Sequence, residues 1–142
     1  MEQLYTYRSL IQEIPTIRED LNKLQSLWSI PDSEMRQIRL IIEEIFSNVI
    51  RYAFSDSLEH LIQVKLIMAE DEICIQITDD GIPFNPLEHQ SGTSTDPASS
   101  EDSGMGLTLI KTFSNSITYQ RVGSNNQLFI SKKIKSNKSS GL

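Results

Sequence analysis

One cysteine, two histidines and no long apolar run set the first limits on this sequence. Cys74 stands alone inside an apolar segment, so neither an internal disulfide nor a cysteine-based zinc site can form within one chain. A buried, inert thiol is its expected role. His60 and His89 lie far apart and lack ligand-like spacing. The opening MEQLYTYRSLIQEI has neither the basic start nor the apolar core of a signal peptide. No segment reaches the roughly 18 uninterrupted apolar residues that a bilayer-spanning helix needs. Positive charge is also scarce: 13 Lys and Arg face 19 Asp and Glu, for a net charge of -6. The one thin basic cluster, SKKIKSNK near the C-terminus, reads as a last strand running into a solvated tail. Nucleic acid is bound through clustered cations, so it is not an expected partner, and neither is a membrane. These limits point to a cytoplasmic protein.

The 142 residues, 38% hydrophobic and 23% charged, suit one ordinary globular domain with a core of its own. Residues 3–12, QLYTYRSLIQ, alternate enough for an edge strand. Pro15 suits the first turn of a helix in which Ile17, Leu21, Leu24 and Trp28 recur at helical spacing. Asp32 or Ser33 is a plausible N-cap for a second, long helix reaching about Phe54. Its apolar stripe comprises Ile38, Ile41, Ile42, Ile45, Phe46, Val49 and Ala53, broad enough to require a sheet beneath it. LIQVKLIMAE and EICIQITDD supply two period-two strands joined near Glu70 and Asp71. A polar stretch follows, then a glycine-led helix in GMGLTLIKTF, then two strands, SITYQRV and NQLFISKKI, linked by Gly123, Ser124 and Asn125. The order β-α-α-β-β-loop-α-β-β predicts an α+β, two-layer sandwich: a mixed, mostly antiparallel sheet with helices on one face.

Three segments carry chemistry. On the long helix, Glu44, Asn48 and Arg51 fall at i, i+4 and i+7, in a row along one border of the apolar stripe. Such rows are common as plain boundary residues of amphipathic helices. Their chemistry nevertheless converges: an Asn amide oxygen suits Mg²⁺, a Glu one turn earlier can take a hydroxyl proton, and an Arg one turn later can face phosphate oxygens. Tyr52 projects back into the stripe, where a core role is the plainer reading. The second segment, ITDDGIPFNP, ends a strand. Asp79 continues the inward alternation of Ile73, Ile75 and Ile77, whereas Asp80 points to solvent. The third, SGMGLTLIK, opens a helix with glycines, leaving free N–H groups and the helix dipole to favour an anion. Before it runs LEHQSGTSTDPASSEDS, nearly devoid of apolar residues, as a lid or a disordered segment would be.

Glu44-x-x-x-Asn48, Asp79-x-Gly81-x-x-Phe84 and Gly104-x-Gly106-Leu107 occur in the order of the N, G1 and G2 boxes of the GHKL ATPase superfamily, which the chain therefore resembles. That resemblance, over roughly residues 5–134, implies the Bergerat ATP-binding fold, an ATP lid at about 88–103 and a flexible tail at 135–142. EEIFSNVIRYAF and DDGIPFNPLE look most like the small anti-sigma-factor serine/threonine kinases of bacterial partner-switching systems. The resemblance implies ATP and Mg²⁺ as cofactors, Asn48 as the metal ligand and Glu44 as the general base. Asp79 would accept a hydrogen bond from the adenine amino group, with Gly81 keeping the backbone close. The implied nucleotide contacts are Asn48, Arg51, Tyr52, Asp79, Gly81, Phe84, Gly104, Met105, Gly106 and Leu107. Implied partners are a sigma factor, an anti-anti-sigma (STAS-domain) phosphoacceptor and a second copy of the chain, paired partly through the N-terminal strand. Two departures stand out. The family often has histidine where this chain has Tyr52, and its last strand usually carries a Gly-Thr pair near adenine, where GSNNQLF offers Ser124 and Asn125. Two other readings stay open: a non-catalytic, nucleotide-dependent switch module, and an ATPase subunit of a larger signalling assembly.

Overall fold

The structure, a computed structural model, describes residues 1–88 and 108–134. Strand β1 (Glu2–Arg8) is followed by a 3₁₀ turn (Ile11–Glu13), helix α1 (Ile14–Trp28) and helix α2 (Asp32–Tyr52). Strands β2 (Leu61–Ala69) and β3 (Glu72–Asp79) come next, then a helical stretch at 108–113, β4 (Ser116–Val122) and β5 (Asn125–Lys133). The lid expected at about 88–103 lies outside the described residues from 89 onward, as do Gly104, Met105, Gly106, Leu107 and the tail at 135–142.

The five strands lie in the order β1-β2-β3-β5-β4, and all four pairings are antiparallel. The sheet is thus antiparallel throughout its described strands, where some parallel pairing was expected. Alternation puts Ile62, Val64 and Leu66 of β2, Ile73, Ile75 and Ile77 of β3, and Leu128 and Ile130 of β5 on the inner face. They meet Ile17, Leu21, Leu24 and Trp28 of α1 and the full predicted α2 stripe in one core. Burial of this many branched side chains, each contributing about 1.5–3 kcal/mol, is what holds the helix layer on the sheet.

Local signals differ at the boundaries. β1 stops at Arg8 because the chain turns into the 3₁₀ segment, with Ser9 N–H bonded to the His60 carbonyl at 2.8 Å. The N-cap of α2 is Pro31 in extended conformation, without a side-chain cap bond. Asp32, one of the two predicted caps, lies inside the first turn beside Glu34, where its charge complements the helix dipole. The β2–β3 turn places Glu70 at φ 47° and the β4–β5 turn places Gly123 at φ 59°, where glycine is at no disadvantage.

The inward positions of β5 read Asn126, Leu128, Ile130, Lys132: two apolar residues flanked by two buried polar ones. Lys132 closes one end of the molecule. Its ammonium pairs with Glu34 at 3.2 Å and donates to Gln37 Oε1 and to the Phe113 carbonyl, tying α2 and the 108–113 helix to the sheet. Asn126 lies at the opposite end, beside Asp79.

Candidate nucleotide-binding site

The row of residues crossing the sheet at that end is set by register. Ile62 of β2 opposes Asp79, Asp79 opposes Asn126 of β5, and Asn126 opposes Arg121 of β4. All four lie on the inner side, so a carboxylate, an amide and a guanidinium come together beneath α2. A narrow cleft opens beside Asp79 and Asn126, lined by Ile45 and Val49 of α2, Ile77, Phe84, Pro86, Tyr119 and Leu128. Its walls are mostly apolar, and Asp79 and Asn126 supply polar groups to it.

Asp79 is only 4% exposed. Its Oδ1 accepts from the Gly81 N–H at 2.8 Å and from Asn126 Nδ2 at 2.9 Å. Burial raises its pKa and neighbouring Asp80 adds to the rise; the bonds from Asn126 and Gly81 and the charge of Arg121 oppose it. Gly81 has a packing reason to be glycine. A Cβ there would sit 2.3 Å from the Ala53 carbonyl oxygen, because the chain after β3 runs against the end of α2. The Ile82 N–H completes that contact by donating to the same carbonyl at 2.8 Å.

From α2, Asn48 is buried and Glu44, one turn earlier, is half-buried. Asn48 Oδ1 is the one buried side-chain polar atom left without a hydrogen-bond partner among the described residues. Such an orphan costs about 1–3 kcal/mol unless a ligand satisfies it. A hard amide oxygen adjoining Val49 of the cavity wall fits the donor set of a divalent cation that completes its shell with water and phosphate oxygens. No group of three or more His, Cys, Asp or Glu side chains converges as a metal site among the described residues, so Asn48 would supply the protein oxygen.

Ile45 and Val49 of α2 thus share the cleft with Asp79 and Phe84, and Gly81 packs against Ala53 at the end of the helix; Glu44 and Asn48 lie on the same helix but not among the lining residues. Tyr52 is half-buried and packs on Phe84, with ring centroids 5.5 Å apart and a 35° tilt. Arg51 lies exposed on the last turn of α2, three residues after the buried Asn48. Sequence reasoning missed Asn126, Tyr119 and Arg121. Ser124 and Asn125 were named near the adenine, but Asn126 is the residue opposite Asp79. The inward phase of Leu128 and Ile130 carried that signal, because it makes Asn126 the next inward position.

Asp80 is exposed, as its parity implied, yet it is not merely solvated. It meets His60 Nδ1 at 3.1 Å, while His60 Nε2 meets Asp56 at 2.8 Å. The imidazole also stacks on Phe54, at 4.4 Å and 11°. The hydrogen bond with Asp56 is the main cause of a raised His60 pKa and a lowered Asp56 pKa.

Residues 7–132 match the family described as the histidine kinase-like ATPase domain. The chain belongs to this family. Its relatives include the anti-sigma F factor of Oceanobacillus iheyensis, 28% identical over 85 residues, which span 59% of this chain and 58% of that protein. The anti-sigma F factor of Clostridium perfringens strain SM101 is 27% identical over 103 residues, 71% of this chain and 74% of that one. Among solved structures, the histidine kinase domain of the Erythrobacter litoralis EL346 blue-light activated kinase superposes with a TM-score of 0.58 at 16% identity, covering 91% of this chain and 63% of that one. The mycobacterial sensor histidine kinase MprB superposes with a TM-score of 0.52 at 11% identity, over 95% and 99% of the two chains. At these identities the structural likenesses establish the fold alone. Membership of a histidine kinase-like ATPase family implies that the chain binds a nucleotide. No helix among the described residues is long and apolar enough to cross a membrane.

Proposed function

We propose that the protein is a cytoplasmic anti-sigma regulatory factor. It binds ATP with Mg²⁺ and transfers the γ-phosphoryl group to a serine or threonine hydroxyl of a STAS-domain protein. What supports this reading is a buried carboxylate, Asp79, in a cleft walled by Ile45 and Val49 of α2, together with a buried, unpartnered amide oxygen, Asn48 Oδ1, on that same helix. A purine amino group and a hydrated cation are complementary to those two acceptors, and one nucleotide carries both needs. The anti-sigma F factors among the relatives supply the sigma-factor partner.

In this reading Asp79 orients the base by accepting from its amino group, and Ile45, Val49, Phe84 and Leu128 exclude water around the ring. Asn48 would hold the cation, which would supply positive charge against that developing on the phosphates. Glu44, one turn from Asn48, takes the proton of the acceptor hydroxyl as the oxygen attacks phosphorus. ADP leaves, and the phosphorylated partner separates.

The test is incubation with γ-labelled ATP, Mg²⁺ and the STAS partner. The wild type is expected to label the partner, and Glu44→Ala to lower the rate by about 10²–10⁴-fold while still binding ATP. If no label transfers and Glu44→Ala holds its partners as the wild type does, the protein is a nucleotide-dependent switch without turnover.

A further inference from the structure

The amide of Asn126, 3% exposed, makes five hydrogen bonds to three segments of chain: the end of β3, the turn after it and β4. Nδ2 donates to Asp79 Oδ1 at 2.9 Å and to the Ile82 carbonyl at 2.8 Å. Oδ1 accepts from the Phe84 N–H at 3.1 Å, from Arg121 Nη1 at 3.1 Å and from the Tyr119 hydroxyl. Arg121 Nη1 also donates to the Gly81 carbonyl at 2.7 Å. Both amide hydrogens go to acceptors and the oxygen meets only donors, so the amide has one satisfactory orientation. The partners are the groups that shape the cavity floor: the Asp79 carboxylate, the turn at 81–84 and two side chains of β4.

We propose that Asn126 is the positioning residue of the base pocket: it pins Asp79 through Oδ1, leaving Oδ2 as the acceptor for a nucleobase with an exocyclic amino group. The proposal rests on the nucleotide-site reading above and gives that site its second selective residue. Two donors, Gly81 N–H and Asn126 Nδ2, converge on a single carboxylate oxygen. The other oxygen accepts from no described residue, and Asp79 lines the cavity.

The arrangement also governs charge. An amino group is read by an ionised carboxylate, and burial works against ionisation. The groups facing Asp79 are few. Asp80 disfavours its charge, Arg121 of β4 favours it, and the Asn126 and Gly81 donors bond to the charged form. Ile62 of β2 and the cavity residues Ile45 and Val49 of α2 carry no charge. Removing the Asn126 donor therefore makes Asp79 easier to protonate, and ATP affinity then falls off at a higher pH than in the wild type.

The experiment measures ATP affinity of the full chain against pH, from about pH 5.5 to 8.5, for wild type, Asn126→Ala, Asn126→Thr and Asp79→Asn, with a melting curve at each pH. Asn126→Ala is expected to lose affinity about tenfold more at the acid end than at the alkaline end. Asn126→Thr, which keeps one hydroxyl donor, should fall between it and the wild type. It also supplies the readout if the alanine variant does not fold. Equal loss at every pH, or no loss, would overturn the positioning role. Asp79→Asn separates the two levels of the argument. Wild-type affinity in that variant would overturn the nucleotide-site reading itself, whereas weak binding there with parallel Asn126 profiles would overturn only the present proposal.

Discussion

His60 shows how a residue without motif context gains chemistry from its surroundings. It stands between Asp56 and Asp80, next to the acid that floors the cavity, and its pKa is raised chiefly by the bond to Asp56. A raised folded-state pKa stabilises the fold fully below the unfolded histidine's pKa, and that stability is lost as pH rises through the folded value. His60→Gln is thus expected to lower the melting temperature more at about pH 5.5 than at about pH 8.5. A gap that is constant with pH would show that the imidazole acts through its stacking on Phe54 instead. At this scale Asp79 was legible because strand parity assigns it to the inner face with Ile73, Ile75 and Ile77. Asn126 was equally inward by parity. It went unread because its value depends on which strand lies opposite, and alternation within one strand does not state that.

Among the elements, α2 carries the most weight, and its stripe was readable in full because 3.6-residue periodicity directly determines what a helix buries. Its ends were not. The start is set by Pro31 without a side-chain bond, and the end by contact with the segment after β3. That contact makes Gly81 a test of the joint. Gly81→Ala drives a methyl into the Ala53 carbonyl and should cost about 1–3 kcal/mol in denaturant unfolding, as overpacking does. An unchanged midpoint would mean that the α2 end is free to move. At the opposite end, Lys132→Met leaves the Glu34 carboxylate without its cation. A loss of about 3–5 kcal/mol is expected, and adding Glu34→Leu should recover much of it, since the penalty comes from the uncompensated charge. A double variant no better than the single would place the cost in lost packing.

Across the whole molecule, the composition announced one acidic globular domain, and the two periodicities gave the element order from which the α+β class followed. The strand order did not. The last strand, β5, inserts between β3 and β4, and this insertion places Asn126 against Asp79 and Lys132 near the start of α2. Long-range pairing is decided by which faces bury together, so it is a property of the assembled sheet and not of any local window. The result is a scaffold polarised along β5, with a charge anchor at one end and a cavity over Asp79 at the other. The central claim is that this cavity is an ATP site read by Asp79, and its most direct test is calorimetric titration of ATP with Mg²⁺ into the full chain and into Asp79→Asn. Saturable binding by the wild type, weakened about tenfold or more by the substitution, is the predicted result. Equal affinity in the two proteins would contradict it.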